Sequence, residues 1–115
     1  MLRIQNTGLY KITNGLAGYK SVCISIYYAR NDNENFRFGR IISIGKLSSI
    51  SFVKSDALYT GSSAELSNVK LYKDSNDVYI QLVSTSNGGA LTLVSPFGAE
   101  SSSIDPSTLT EVSLE

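Results

Sequence analysis

The sequence predicts an all-β protein, an antiparallel jelly-roll sandwich of about eight strands. Three observations predict it: apolar and polar residues alternate along most of the chain, short Gly-, Asn-, Asp- and Ser-rich segments separate the alternating runs, and no segment keeps a helical period over about ten residues. The 115 residues, 42% of them hydrophobic, suit one domain with one core. We therefore expect residues 1–115 to form a single β-sandwich domain.

The N-terminal half contains the clearest strand. The short strands LRIQ and LYKI come first, and the turn TNGLAG follows. SVCISIYYA then alternates strictly, with Tyr27 on its polar side and Val22, Ile24, Ile26 and Tyr28 on its apolar side. The next strand, FRFGRIISIGKL, has the same alternation, although Arg40 falls on its apolar side. SISFVK is the strand after it, and we expect DALYTG, with Tyr59, to be a loop.

The C-terminal half begins with SSAELSNV, in which one helical turn is weakly indicated. A hairpin follows, because KLYKDSNDVYIQL alternates on both sides of the polar tip DSND. ALTLVS is another strand. The Ser-rich residues 98–109 are either a flexible linker or, as we prefer, a polar crossover that delivers a last strand, TEVSL.

The composition excludes several chemistries. The chain has no His, so neither a His-activated nucleophile nor a His-based metal site is available. The single Cys permits no intrachain disulfide, and the formal net charge of zero gives no general reason to bind nucleic acid. No apolar run approaches the roughly 20 residues that span a bilayer. We therefore expect no enzyme activity, no cofactor, no metal and no membrane insertion.

The acidic hairpin tip raises the question of a calcium site. Asp74 and Asn76 fit the first and third positions of an EF-hand loop, but Val78 occupies the fifth and no Gly follows. A calcium site that joins this tip to NDNEN would require both turns to lie at the same end of the sandwich. The simpler interpretation is that Asp and Asn side chains bond nearby backbone N–H groups and close the hairpin.

Two ligand classes remain after these exclusions. YYARNDNENFRFGR interleaves aromatic residues with Arg, as in binders of single-stranded nucleic acid, but it lacks an RNP1 motif and we expect no nucleic-acid binding. Carbohydrate is favoured, because seven Tyr can stack on sugar rings while Asn and Asp bond the hydroxyls. The predicted ligand-binding residues are Tyr59, Tyr72, Asp74, Asn76 and Tyr79.

The strand segments GLYKI, YKSVCISIYY, VKLYKDSNDVYIQLVS and GGALTLVS resemble the C-terminal jelly-roll domains of bacteriophage tail fibres, tailspikes and neck appendages, which are related in architecture to the TNF and C1q trimers. The resemblance implies a homotrimer at the C-terminal end of a longer chain, located in the virion or otherwise extracellular. It also implies host attachment and receptor binding, often of a host-surface glycan. Exposed aliphatic residues such as Ile41 and Val83 would then be buried between subunits.

From these observations we expect a non-catalytic trimeric tip domain that recognises a host-surface carbohydrate and assembles the trimer. Two alternatives stay open. One is a purely structural module for trimerisation or chaperoned folding, and the other is a stand-alone carbohydrate-binding module.

Overall fold

A computed structural model describes residues 1–16 and 20–115 of the chain. Residues 17–19, which hold the end of the predicted turn TNGLAG and the first residue of YKSVCISIYY, lie outside the described residues. The described part of the chain forms ten strands. They are β1 (Leu2–Ile4), β2 (Gly8–Lys11), β3 (Lys20–Ala29), β4 (Phe38–Lys46), β5 (Ile50–Thr60), β6 (Val69–Lys73), β7 (Val78–Leu82), β8 (Ala90–Val94), β9 (Glu100–Ser102) and β10 (Thr110–Val112).

The described strands form two five-stranded antiparallel sheets that pack face to face. Sheet A has the order β1-β8-β3-β4-β5, and sheet B has the order β10-β6-β7-β2-β9. The predicted all-β antiparallel sandwich is confirmed. In the described part of the chain, no helix is both long enough and apolar enough to cross a lipid bilayer.

The core lies between the sheets and follows the alternation in the sequence. The apolar side of β3 is buried as predicted, with Ile24 and Ile26 fully covered and Tyr28 stacked on Phe38 at a centroid distance of 5.3 Å. Inward residues of β4, β6 and β7 belong to the same cluster, among them Ile42, Ile44, Leu71, Ile80 and Leu82. Because residues two apart on a strand share a face, Ile42 and Ile44 are buried together, and so are Ile80 and Leu82.

The prediction that DALYTG is a loop is wrong, because β5 continues through Tyr59 to Thr60. Asp56 and Gly61 resemble turn residues, yet β4 is long enough to pair with β5 along its whole length, up to Phe38 opposite Thr60. A β-bulge at Leu58 absorbs the change of register. An edge strand needs backbone partners on one side only, so it tolerates polar residues that would weaken a central strand.

The Ser-rich segment is a crossover, as preferred, and it also contains a strand that the sequence did not predict. β9 pairs with β2 through backbone bonds, with Leu9 opposite Ser102. β9 and β10 occupy opposite edges of sheet B, so residues 103–109 must cross that sheet. Leu109 packs against Leu9, Tyr72 and Tyr79, which shows that the crossover runs over the outer face of sheet B.

The C-terminal segment is fastened inside the sandwich by Arg40. This side chain is only 3% exposed, on the apolar side of β4 as the alternation predicted. Its guanidinium donates to the backbone oxygens of Leu114 at 2.6 Å, Gly39 at 2.8 Å and Tyr59 at 3.0 Å. Leu114 is itself a core residue, so Arg40 joins the end of the chain to sheet A.

Candidate functional site

The predicted hairpin tip is confirmed and is closed by Asp74. The Asp74 N–H donates to the Asp77 backbone oxygen at 3.0 Å. The Asp74 carboxylate accepts from the N–H groups of Asn76 and Asp77 at 2.9 and 2.8 Å, and from the Tyr79 hydroxyl at 3.0 Å. Both carboxylate oxygens of Asp74 are therefore occupied by bonds within the hairpin itself.

The same tip also ties the two sheets together. Thr13 donates to the Asp77 carboxylate at 2.8 Å and accepts from the Val78 N–H at 3.1 Å. From sheet A, the Lys46 ammonium donates to the Asn76 backbone oxygen at 2.9 Å, and the Ile50 N–H donates to the Ser75 oxygen at 2.8 Å. The polar groups of the tip therefore stabilise the contact between the two sheets.

The electrostatics of the tip agree with a structural role. Burial alone would raise the pKa of Asp74, but the bonds from the Asn76 and Asp77 N–H groups and from the Tyr79 hydroxyl lower it below the ordinary value. Burial, together with the bond to Asp74, raises the pKa of Tyr79 to about 12. Asp74 is thus held as a carboxylate and Tyr79 as a neutral donor, which is the pairing that the hydrogen bond needs.

A calcium site shared between this tip and NDNEN does not fit the fold. NDNEN precedes the first residue of β4, whereas Lys46, the last residue of β4, contacts Asn76 at the tip. The nine residues of β4 span about 27 Å, so the two turns lie at opposite ends of the sandwich. Within residues 1–16 and 20–115, no group of three or more His, Cys, Asp or Glu side chains is placed to hold a metal ion.

Tyr72 and Tyr79 lie on the outer face of sheet B, as their strand positions predicted, but they do not present their rings to solvent. Their exposed fractions are 7% and 3%, because the crossover places Leu109 over them. The Tyr72 hydroxyl donates to the Gln81 side chain at 3.2 Å. Of the five predicted residues, only Asn76 and Tyr59 are exposed.

Tyr59 lies on the other sheet, away from the tip, in a row with a second tyrosine. In sheet A, Tyr27 of β3 pairs with Gly39 of β4, and Gly39 pairs with Tyr59 of β5. Directly paired residues share a face, so both tyrosines lie on the outer face. Tyr27 is 43% exposed and Tyr59 is 52% exposed. Their α-carbons are two strand spacings apart, about 10 Å.

Gly39 makes room for the ring of Tyr27. A Cβ atom at Gly39 would lie 3.0 Å from Cδ1 and 3.2 Å from Cε1 of Tyr27, so the ring lies over the β4 backbone. One side of the ring packs on the strand and the other side remains accessible. Phe52 lies over Gly45 in the same way, since a Cβ atom at Gly45 would lie 2.1 Å from Cε1 of Phe52.

Polar side chains surround the two tyrosines on the same face. Thr92 pairs with Tyr27 on the side away from Gly39, and Arg3 pairs with Thr92. In the neighbouring row, Ser25 and Asp56 flank Ile41 on either side. We call Tyr27, Gly39, Tyr59, Thr92 and Asp56 the sheet A platform. It offers two ring faces for apolar contact, with hydroxyl and carboxylate groups beside them.

Tyr27 belongs to the sheet A platform but is not among the predicted ligand-binding residues. The alternation of β3 placed it on the polar side, but nothing in the strand itself marked it above the other tyrosines. The available signal was Gly39, an isolated glycine inside the strand FRFGRIISIGKL. A glycine inside a strand often marks the close approach of another group.

The aromatic and basic window YYARNDNENFRFGR is largely engaged within the fold. Arg30 forms a bidentate pair with Asp32 at 2.9 and 2.6 Å, and its guanidinium lies 3.9 Å from the centre of the Phe36 ring. Arg40 is buried. Of the three arginines in the window, this leaves only the exposed Arg37 free of these contacts among the described residues.

A groove of about 550 Å³ lies elsewhere, between β6 and the C-terminal segment. Leu66, Leu71, Val112 and Leu114 form much of its wall. The predicted ligand-binding residues do not line it, and neither do the residues of the sheet A platform.

Comparison with known proteins adds no further constraint, since no family model, curated protein or solved structure matches the chain.

Proposed function

We propose that the domain is a non-catalytic carbohydrate-binding module and that the sheet A platform is its binding surface. The row Tyr27–Gly39–Tyr59 is the observation that carries this proposal. Two exposed tyrosines in one row, with α-carbons about 10 Å apart, provide apolar ring surface on which the sugar rings of one oligosaccharide can stack. Asp56 and Thr92 lie where they would bond sugar hydroxyls.

The setting we propose is the one that the resemblance implies. At the tip of a phage tail or appendage, a trimer of such domains would present three platforms to a host surface. Weak binding at each platform would then be strengthened by multivalency. The trimer, the virion location and the host-attachment role rest on that resemblance and on the sandwich architecture that supports it.

The test is a glycan array followed by calorimetric titration of any ligand found. Tyr27→Ala and Tyr59→Ala are each expected to weaken binding at least tenfold, which corresponds to about 1.4 kcal/mol. The matched control is Phe52→Ala, because Phe52 is 47% exposed on the same face but lies about 20 Å from Tyr59 along β5. Binding that survives Tyr27→Ala and Tyr59→Ala, or that is lost equally in Phe52→Ala, would contradict the proposed surface.

A second control separates the platform from the hairpin tip. Tyr79→Phe removes the hydroxyl bond to Asp74 but leaves the platform untouched. It is expected to lower stability without changing glycan affinity. If no glycan binds at any concentration tested, the binding function is refuted and the purely structural alternative is favoured.

A further inference from the structure

Strand β5 leaves a long edge of sheet A without a partner among the described residues. It contains 11 residues, and an extended strand of that length spans about 35 Å. Apart from its ladder with β4, its backbone bonds only through the Ile50 N–H to Ser75 and through the Tyr59 oxygen to Arg40, as far as the described residues show. Phe52 is 47% exposed and Leu58 is 46% exposed on this strand.

The sequence of β5 is self-complementary about Ser55. Reversing the strand about this residue places Lys54 opposite Asp56, Val53 opposite Ala57, and Phe52 opposite Leu58. Within one chain Lys54 and Asp56 form an ion pair at 3.8 Å, and both stay well exposed, with 71% and 58% of their side chains accessible, so each can also face an opposite charge across the strand edge. A reversed copy of the strand therefore brings opposite charges together near its centre and apolar residues together towards its ends.

Only this register pairs Lys54 with Asp56 and also keeps every residue on its own face of the joined sheet. In an antiparallel pair of strands, directly opposed residues lie on the same face of the sheet. The two-fold axis that relates the two copies must therefore pass beside one residue of β5, and not between two residues. An axis at Lys54 would oppose two lysines, and an axis at Asp56 would oppose two carboxylates, which is destabilising. An axis at Ser55 opposes Lys54 and Asp56 twice.

We infer that β5 docks against β5 of a second copy of this chain, in antiparallel register about Ser55. The regular part of the new ladder ends at Leu58, where the bulge disturbs the strand. The two copies of sheet A would then form one continuous sheet. Their outer faces would lie side by side, so two sheet A platforms would face the same direction.

The backbone ladder of this two-fold pairing uses the edge of sheet A, but its charged pairs include Asp56 of the sheet A platform. Lys54→Asp leaves the platform residues unchanged, so this variant distinguishes loss of the dimer from loss of glycan binding. The two-fold pairing is also distinct from the three-fold assembly that the resemblance implies. The mass of the assembly separates the two, since the β5 contact by itself yields a dimer.

The test is sedimentation equilibrium of the whole chain, with circular dichroism to confirm folding of every variant. The wild type is expected to form a reversible dimer, or a hexamer in which β5 joins two trimers if the three-fold contact also forms. Lys54→Asp opposes two carboxylates at both charged pairs, and Asp56→Lys opposes two ammonium groups there, so each single variant is expected to weaken dimerisation roughly tenfold. The combined variant Lys54→Asp/Asp56→Lys restores opposite charges and is expected to recover the dimer.

The combined variant is the decisive measurement, since it has the same composition as the wild type and keeps both substituted positions exposed. Recovery of the dimer only in the combined variant would support the register about Ser55. A monomeric wild type, a trimer insensitive to these substitutions, or a combined variant as weak as the single ones would overturn the inference. An edge that pairs instead with a strand of another protein would give the monomeric result.

Discussion

Arg40 offers a quantitative test of how the fold is held together. It is a buried cation that, among the described residues, forms no salt bridge with a carboxylate, and burial lowers the pKa of its guanidinium, partly offset by Glu115. Three backbone oxygens satisfy it instead, those of Leu114, Gly39 and Tyr59. The substitution Arg40→Met keeps most of the volume and removes the charge.

The expected magnitude follows from two opposing contributions. Hydrogen bonds to a charged group contribute about 1.5 to 3 kcal/mol each, so three of them contribute about 5 kcal/mol or more. Removing an unpaired buried charge regains several kcal/mol of desolvation energy. The Leu114 oxygen keeps a bond from Ser55 at 3.3 Å, but those of Gly39 and Tyr59 lose their Arg40 donor. We expect Arg40→Met to lower the free energy of unfolding by about 2 kcal/mol.

Urea denaturation and amide hydrogen exchange measure this effect. A loss of about 2 kcal/mol corresponds to a fall of roughly 8 °C in Tm for a domain of this size. The β10 amides that bond to β6 are expected to exchange about thirtyfold faster, because the C-terminal segment loses its attachment to β4. The control is Arg37→Met, which removes an exposed arginine close to the start of β4. Unchanged stability and exchange in Arg40→Met would refute the view that this residue anchors the segment.

Three further predictions concern the glycines and the hairpin tip. Gly61→Ala is expected to cost about 3 kcal/mol, because its Cβ would lie 2.2 Å from the Asn35 backbone oxygen, whereas Gly98→Ala, with no atom within 4 Å, is expected to stay within about 0.5 kcal/mol in the same urea titration. The lowered pKa of Asp74 implies a contribution to stability that is fully present above the ordinary value of about 3.9 and is lost as the pH falls towards the lowered one. Asp74→Asn should therefore show a flatter dependence of stability on pH below about 4, and an unchanged slope would contradict this. Tyr79→Phe is expected to cost about 1 kcal/mol and to bring the Asp74 pKa, followed by NMR, back towards its ordinary value.

The sequence predicted the architecture well because the relevant signals are local. Alternation placed the inward residues of β3, β4, β6 and β7, and turn chemistry placed the tip at Asp74–Asp77. The failures occurred where backbone pairing outweighed composition. β9 consists of Glu and two Ser residues and forms because β2 offers an unpaired edge. β5 passes through Asp56 and Tyr59 because β4 offers a partner along its full length.

The candidate site was harder to predict because alternation assigns a residue to a face without indicating what covers that face. Tyr27, Tyr59, Tyr72 and Tyr79 all occupy outer positions on their strands, so local sequence treats them alike. The difference between them comes from residues 103–109, which join the two edges of sheet B and bring Leu109 over Tyr72 and Tyr79. Nothing equivalent among the described residues buries Tyr27 and Tyr59, which stay 43% and 52% exposed. The path of the crossover, which is distant in sequence from all four tyrosines, therefore decides which of them are buried and which are accessible to a ligand.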